Sequence, residues 1–257
     1  MVLSALRGAL GFLSRVPVGH SERSWAAFTE TPAAFPLAGS LLGGLVALPF
    51  LAAGALPSPV VAAAYLGSVV LVTGVNHADG LADVGDAAVV HGDPAERRDV
   101  MRDTTVGVGA VLALGTALVA LALGGLAAAA LPVGVAVAVV VASEVGAKLA
   151  MATLACLGTP SHDGFGATIL DGNGPADLVA VLLVTLPIAA LASPATAVSV
   201  AAGLVVALFV RHWATTTVGG VGGDVFGATN ELARVVALHA GVVAWHLLGE
   251  VALWTRL

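Results

Sequence analysis

Seven of the sixteen acidic residues fall in one polar stretch, Val75 to Thr104: Asp79, Asp83, Asp86, Asp93, Glu96, Asp99 and Asp103. Its centre, Asp79-Gly-Leu-Ala-Asp83-Val-Gly-Asp86, spaces three carboxylates at i, i+4 and i+7. On a helix these directions fall within about 60° of one another, so all three share a face. Carboxylates so stacked repel unless a cation lies between them, and hard oxygen donors at this spacing suit Mg²⁺ or Mn²⁺ held together with waters and phosphate oxygens. The plainer reading is a solvated acidic helix face. Gly80 and Gly85 count against it. Each costs about 1 kcal/mol in a helix, and each is useful where a ligand or a second helix must approach the backbone.

Two further segments carry matching chemistry. Arg97, Arg98 and Arg102 follow the acidic core, and their guanidinium groups suit bidentate phosphate contact or, alternatively, anchoring of a helix end at lipid headgroups. Asp103 stands beside them as an additional metal ligand. The later run Gly219-Gly220-Val-Gly-Gly223-Asp224-Val-Phe-Gly227-Ala-Thr-Asn230-Glu231 combines a Gly-rich turn with Asp224 and Glu231 at i, i+7. Its backbone N–H groups are expected to face phosphate oxygens, with Asp224 sharing a metal with the first acidic stretch. Of His77, His162 and His212, only His77, two residues before Asp79, is placed to join Asp83 and Asp86 as a catalytic group.

The elements that must position these groups are apolar. The chain has 257 residues, of which 58% are hydrophobic and 10% charged, with a mean hydropathy of +1.01. Soluble domains carry nearer 25% charged residues. This composition predicts an all-α, polytopic membrane bundle of about six or seven transmembrane helices, one catalytic domain over residues 1–257. The net charge of −6 leaves no basic patch for nucleic acid, and the single cysteine, Cys156, excludes an intrachain disulfide. The N-terminal residues lack the order of a signal peptide, and Met1 to Thr31 reads as an interfacial or re-entrant segment. Predicted spans cover 35–55, 60–74, 106–127, 131–156, 178–192, 195–210 and 235–254, with 158–177 and 211–234 as polar loops. Gly39, Gly43 and Gly44 predict a close-packing face. Glu144 and Lys148, at i, i+4, are expected to pair. Arginines flank one set of loops and the opposite turns are uncharged, so the positive-inside rule puts all the chemistry on the cytoplasmic side of a cell membrane.

In order along the chain, several runs resemble the adenosylcobinamide-GDP ribazoletransferase (cobalamin synthase) family. They are Arg15-Val-Pro17-Val-Gly19, Phe35-Pro-Leu-Ala-Gly39, His77-Ala-Asp79-Gly-Leu-Ala-Asp83-Val-Gly-Asp86, Met101-Arg-Asp103-Thr-Thr-Val-Gly107-Val-Gly109, and Gly219 to Glu231. Two positions depart from the family pattern: Gly222 replaces a usual Thr, and Ser143-Glu144 stands where Ser-Arg is expected. The resemblance implies a Mg²⁺-dependent transferase that joins adenosylcobinamide-GDP to α-ribazole or its 5′-phosphate and releases GMP. Asp79, Asp83, Asp86, Asp103 and Asp224 would hold the metal, and Gly219, Gly220, Gly223, Asn230, Arg98 and Arg102 would bind the nucleotide substrate. The partners implied are the two substrates and the bilayer, and a homo-oligomer is compatible with the sequence. Two other readings compete. The acidic pattern also resembles CDP-alcohol phosphotransferases, although their Asp-x-x-Asp-Gly start is missing, and a cation-coupled transporter would use carboxylates among Gly-broken helices.

Overall fold

The computed structural model describes residues 2–249. Twelve α-helices follow one another: α1 (Val2–Leu13), α2 (Glu22–Thr29), α3 (Ala34–Val46), α4 (Ser58–Thr73), α5 (Asn76–Val89), α6 (Pro94–Arg102), α7 (Val108–Ala128), α8 (Val133–Leu157), α9 (Phe165–Asp171), α10 (Leu178–Ala190), α11 (Ala195–Thr217) and α12 (Gly223–Ala244). A 3₁₀ turn, Leu48–Ala52, extends α3. Among the described residues there is no β-strand, as a chain bound for a hydrocarbon environment requires of anything but a closed barrel.

Proline and acidic caps set many of the helix starts. Pro57 and Pro132 precede α4 and α8, and Asp93 with Glu96 forms a capping box on α6, accepting from Ala95 and Glu96 N–H at 2.8 and 3.0 Å. Backbone bonds to the Asp93 carboxylate hold its pKa below the usual carboxylate range.

Five of the described helices, counting α3 with its 3₁₀ turn, are long and apolar enough to cross a membrane, and seven if each of two bent pairs counts as one span. The bent pairs are α4 with α5, which turns by 96°, and α9 with α10, which turns by 77°. We take α4 and α10 as the crossing members. Gly74 makes the first bend with φ +74, a conformation that glycine adopts without a Cβ penalty. The chain is therefore a multi-pass membrane protein, with side chains such as Leu112 and Phe209 left 61% and 68% exposed on its outer face.

Helix α8 is the hub: nearly every residue from Val139 to Cys156 is buried, and α3, α10, α11 and α12 pack around it. Small residues permit this. A methyl added at Gly39 would lie 3.0 Å from the Glu144 carbonyl, and one at Gly43 would lie 2.9 Å from the Val141 Cα. Gly44, expected on the same face, meets open space instead.

The last span starts earlier than the sequence suggested. The stretch 211–234 is not a long polar loop: α11 runs on to Thr217, and α12 begins at Gly223, which leaves five residues between them. The predicted 235–254 span thus begins within α12, and its residues 250–254 lie outside those described. Asp224, Asn230, Glu231 and Arg234 are all helical.

At the α8–α11 crossing a methyl on Gly203 would stand 2.6 and 2.7 Å from the Gly146 carbonyl carbon and Cα. Gly203→Leu is expected to lower the melting temperature in detergent by about 3–10 °C, the effect of about 1–3 kcal/mol of overpacking. Gly44→Ala should leave it unchanged or slightly higher. Equal melting of both variants would contradict the packing described.

Candidate active site

The polar segments meet at one end of the bundle. Helix α5 lies across the start of α12, and glycines sit at the contact: a methyl at Gly80 would stand 2.6 Å from the carbonyl oxygen of Asp224, and one at Gly227 would stand 3.1 Å from the Cα and carbonyl of His77. The close approach anticipated for Gly80 is thus to a helix, and it carries the Asp79–Asp83 edge up to Asp224. The same holds for Gly85, where a methyl would be 2.8 Å from the carbonyl of Gly109 on α7.

The carboxylate stripe forms as its spacing requires, on α5. Asp79 is exposed, whereas Asp83 and Asp86 are half-buried. Burial, followed by the charges of Asp224, Asp79 and Asp86, pushes the Asp83 carboxyl up to about 6. Asp103 is absent from the charges that act on Asp83; it is exposed and accepts from the Thr105 N–H and hydroxyl at 3.0 Å each. Asp86 accepts from Gly107 N–H at 2.8 Å and Ala110 N–H at 2.9 Å, and so caps α7. The structure therefore groups Asp79, Asp83 and Asp224 most directly. Asp86 is committed to a helix end, and Asp103 stands apart.

Beside Asp224 opens a cavity lined by Arg98, Arg102, Ser161, His162 and Gly222. The arginines divide their labour. Arg97 donates to the carbonyls of Ala87 at 2.6 Å and Gly92 at 3.1 Å and secures the end of α5. Arg98 donates one bond of 2.8 Å to the Val218 carbonyl. Arg102 is mostly exposed, with Asp99 at 3.7 Å.

The Gly-rich turn is pinned where the sequence suggested freedom. Gly219 and Gly220 adopt φ of +79 and +145, a conformation open to glycine. Gly220 N–H donates to Ala214, and Val221 N–H donates to Thr159 at 2.8 Å. These two positions shape the turn, while the N–H groups available to an anion are those of the first turn of α12, from Gly223 to Val225. Gly223 itself has no positive φ, and a methyl there would meet only the Phe165 ring, at 3.8 Å. At Gly222 a Cβ would lie 3.3 Å from the Ser161 hydroxyl and 3.0 Å from His162 Cε1. The space beside a Cβ at position 222 is taken by Ser161 and His162; His162 stood in the sequence as a lone histidine, and Ser161 carried no signal there.

Deeper in, Asn230 is buried. Its amide nitrogen contacts His77 Nδ1 at 3.3 Å and donates to Glu231 Oε1 at 2.9 Å. Asn230 thus supports His77 and does not reach the cavity.

The profile of the family described as cobalamin-5-phosphate synthase matches residues 5–242. The chain belongs to that family. Its relatives include proteins named adenosylcobinamide-GDP ribazoletransferase from three organisms. That of Haloquadratum walsbyi is 47% identical over 96% of this chain and 100% of its own. The Halorubrum lacusprofundi protein is 48% identical over 95% and 99%, and the Halobacterium salinarum protein is 52% identical over 76% and 99%. No solved structure matches. The transporter and CDP-alcohol phosphotransferase readings give way to this family.

The α5–α12 contact is testable by stability. Gly80→Ala should lower the melting temperature by about 3–10 °C, because its methyl meets backbone that cannot rotate away, whereas Gly223→Ala should melt within about 2 °C of the parent. A Gly80→Ala protein that melts like the parent would show that the two helices do not touch there.

Proposed function

We propose that the chain joins adenosylcobinamide-GDP to α-ribazole, or to its 5′-phosphate, with release of GMP, and that it requires Mg²⁺ and works from the cytoplasmic face of the cell membrane. The observation that carries this reading is the meeting of Asp79 and Asp83 with Asp224 at the start of α12, beside a cavity that offers Arg98, Arg102 and His162.

The donor set fits a hard divalent ion. It is all oxygen and comes from two helices, and among the described residues no three His, Cys, Asp or Glu side chains are placed to hold an ion by themselves, so waters and phosphate oxygens would have to complete the shell. Mg²⁺ keeps waters and takes phosphate oxygens, so an open edge of two or three carboxylates is what it needs. When bound, it would neutralise the phosphoanhydride and stabilise the leaving phosphate.

The residues do the rest. The first-turn N–H groups of α12 and the guanidinium groups of Arg98 and Arg102 face the diphosphate and orient it. The 5′-hydroxyl oxygen of the acceptor attacks the phosphorus that carries the cobinamide, and the bond from that phosphorus to the bridging oxygen breaks. GMP leaves with the electron pair. A carboxylate of the Asp79–Asp83 edge accepts the hydroxyl proton. His77, buried against α12, positions the first turn of α5. Purified protein in detergent should release GMP only when α-ribazole and Mg²⁺ are both present, and release without the acceptor would refute transfer.

Asp83→Asn is expected to lower turnover by at least about 100-fold at saturating Mg²⁺, with expression and membrane insertion intact, since Asn keeps the volume and removes the charge. Near-parental activity would overturn the metal role of this edge. For the orientation, cysteines at Ala95, Ser161 and Thr216, with Cys156 replaced by Ala, should all react with an impermeant reagent from the cytoplasmic side alone. One site labelled only from outside would break the single-face arrangement.

A further inference from the structure

Helices α1 and α2 form a hairpin at the same end of the bundle, and three aromatic rings project from it and from α9. Phe12 and Phe165 lie with centroids 4.5 Å apart, Trp25 and Phe165 5.4 Å apart, and Phe12 and Trp25 5.9 Å apart. Phe28, wholly buried, lies beneath both Phe12 and Trp25 at 5.8 and 5.9 Å. The three upper rings differ from Phe28 in being only partly covered, and Phe12 and Trp25 line an open cavity shared with Arg7, His20 and Ser21.

The position of these rings gives the exposure its meaning. Phe12 contacts the His77 ring edge-on at 6.5 Å, and His77 lies in the turn that carries Asp79. Phe165 approaches the Gly223 position to 3.8 Å, next to Asp224. The rings thus border both helix starts that supply the carboxylates, one from α5 and one from α12.

We propose that Phe12, Trp25 and Phe165 form a stacking wall for the planar heterocyclic base of a nucleotide-like substrate of this site. Every such base has a π-face, and stacking on aromatic side chains needs no hydrogen-bond code. The inference rests on the transfer reaction proposed above, in which two substrates carry a base: the guanine of the activated donor and the benzimidazole of the acceptor.

The test uses the full-length protein in detergent with Trp25→Ala and Trp25→Phe. Expected for Trp25→Ala is a rise of about 5- to 100-fold in the KM of one substrate, with the KM of the other unchanged. A rise for α-ribazole assigns the wall to the acceptor base, and a rise for the GDP-activated corrinoid assigns it to guanine. Trp25→Phe should restore most of the loss. Direct binding is read separately, by titrating α-ribazole and GMP, each alone, into the parent and into Trp25→Ala. The parent should bind one of them at least about fivefold more tightly than the variant does. Unchanged KM values and unchanged binding in Trp25→Ala would overturn the wall, as would equal losses for both substrates with a lowered melting temperature. If the parent binds a base but transfers no ribazole, the reaction reading fails while the wall stands.

Discussion

A buried group of charges fixes the position of α12, and with it everything at the polar end of the bundle. Glu144, in the middle of α8, accepts from Lys148 Nζ at 2.9 Å and from both Nε and Nη2 of Arg234 on α12, and Arg234 Nη1 reaches Glu231 at 2.5 Å. Glu144, Lys148 and Arg234 have no exposure at all. Two acids and two bases balance, as they must where no water shields a lone charge. Removal of one partner from such a group leaves an uncompensated buried charge and costs about 3–5 kcal/mol. The group therefore sets both the depth and the rotation of α12 against α8.

That rotation propagates along one face of α12. Glu231, Asn230, Gly227 and Asp224 lie three, four, seven and ten residues before Arg234, on one side of the helix, so the turn that faces Glu144 also determines where the others point. Asn230 meets His77, Gly227 takes the backbone of His77, and Asp224 takes Gly80. Helix α5 rides on these contacts with its carboxylate stripe at the edge. From Arg234 to Asp224 is about 15 Å along the helix, short enough for the charge group to govern the site and long enough to keep it out of the chemistry.

What the sequence revealed, and what it concealed, follows from the reach of each signal. The stripe at Asp79, Asp83 and Asp86 was legible because helical spacing is local, and so was the pairing of Glu144 with Lys148. The second cation on Glu144 was not, for Arg234 lies 90 residues away and reads as the flank of a polar loop. The same polar composition stretched the predicted 211–234 loop, although its charges face partners inside the bundle and leave a helix free to form. Gly219 and Gly220 suggested an exposed cradle, but their φ angles serve a turn held by the N–H groups of Gly220 and Val221 on the carbonyls of Ala214 and Thr159. Phe12, Trp25 and Phe165 carried no signal, being three aromatics among apolar residues until α1, α2 and α9 bring them together.

The acidic edge and the start of α12 also explain each other. Backbone N–H groups at a helix start attract anions, whereas Asp79, Asp83 and Asp224 beside them repel anions and attract cations. A bare diphosphate would meet the carboxylates at a cost, and a bare divalent cation would meet the helix start at a cost. In the proposed reaction a diphosphate bound together with its cation would satisfy both, with the phosphate oxygens toward Gly223–Val225 and the arginines and the cation toward the acids. Opposite fields placed side by side would thus favour, in that reaction, the neutralised pair over either ion alone.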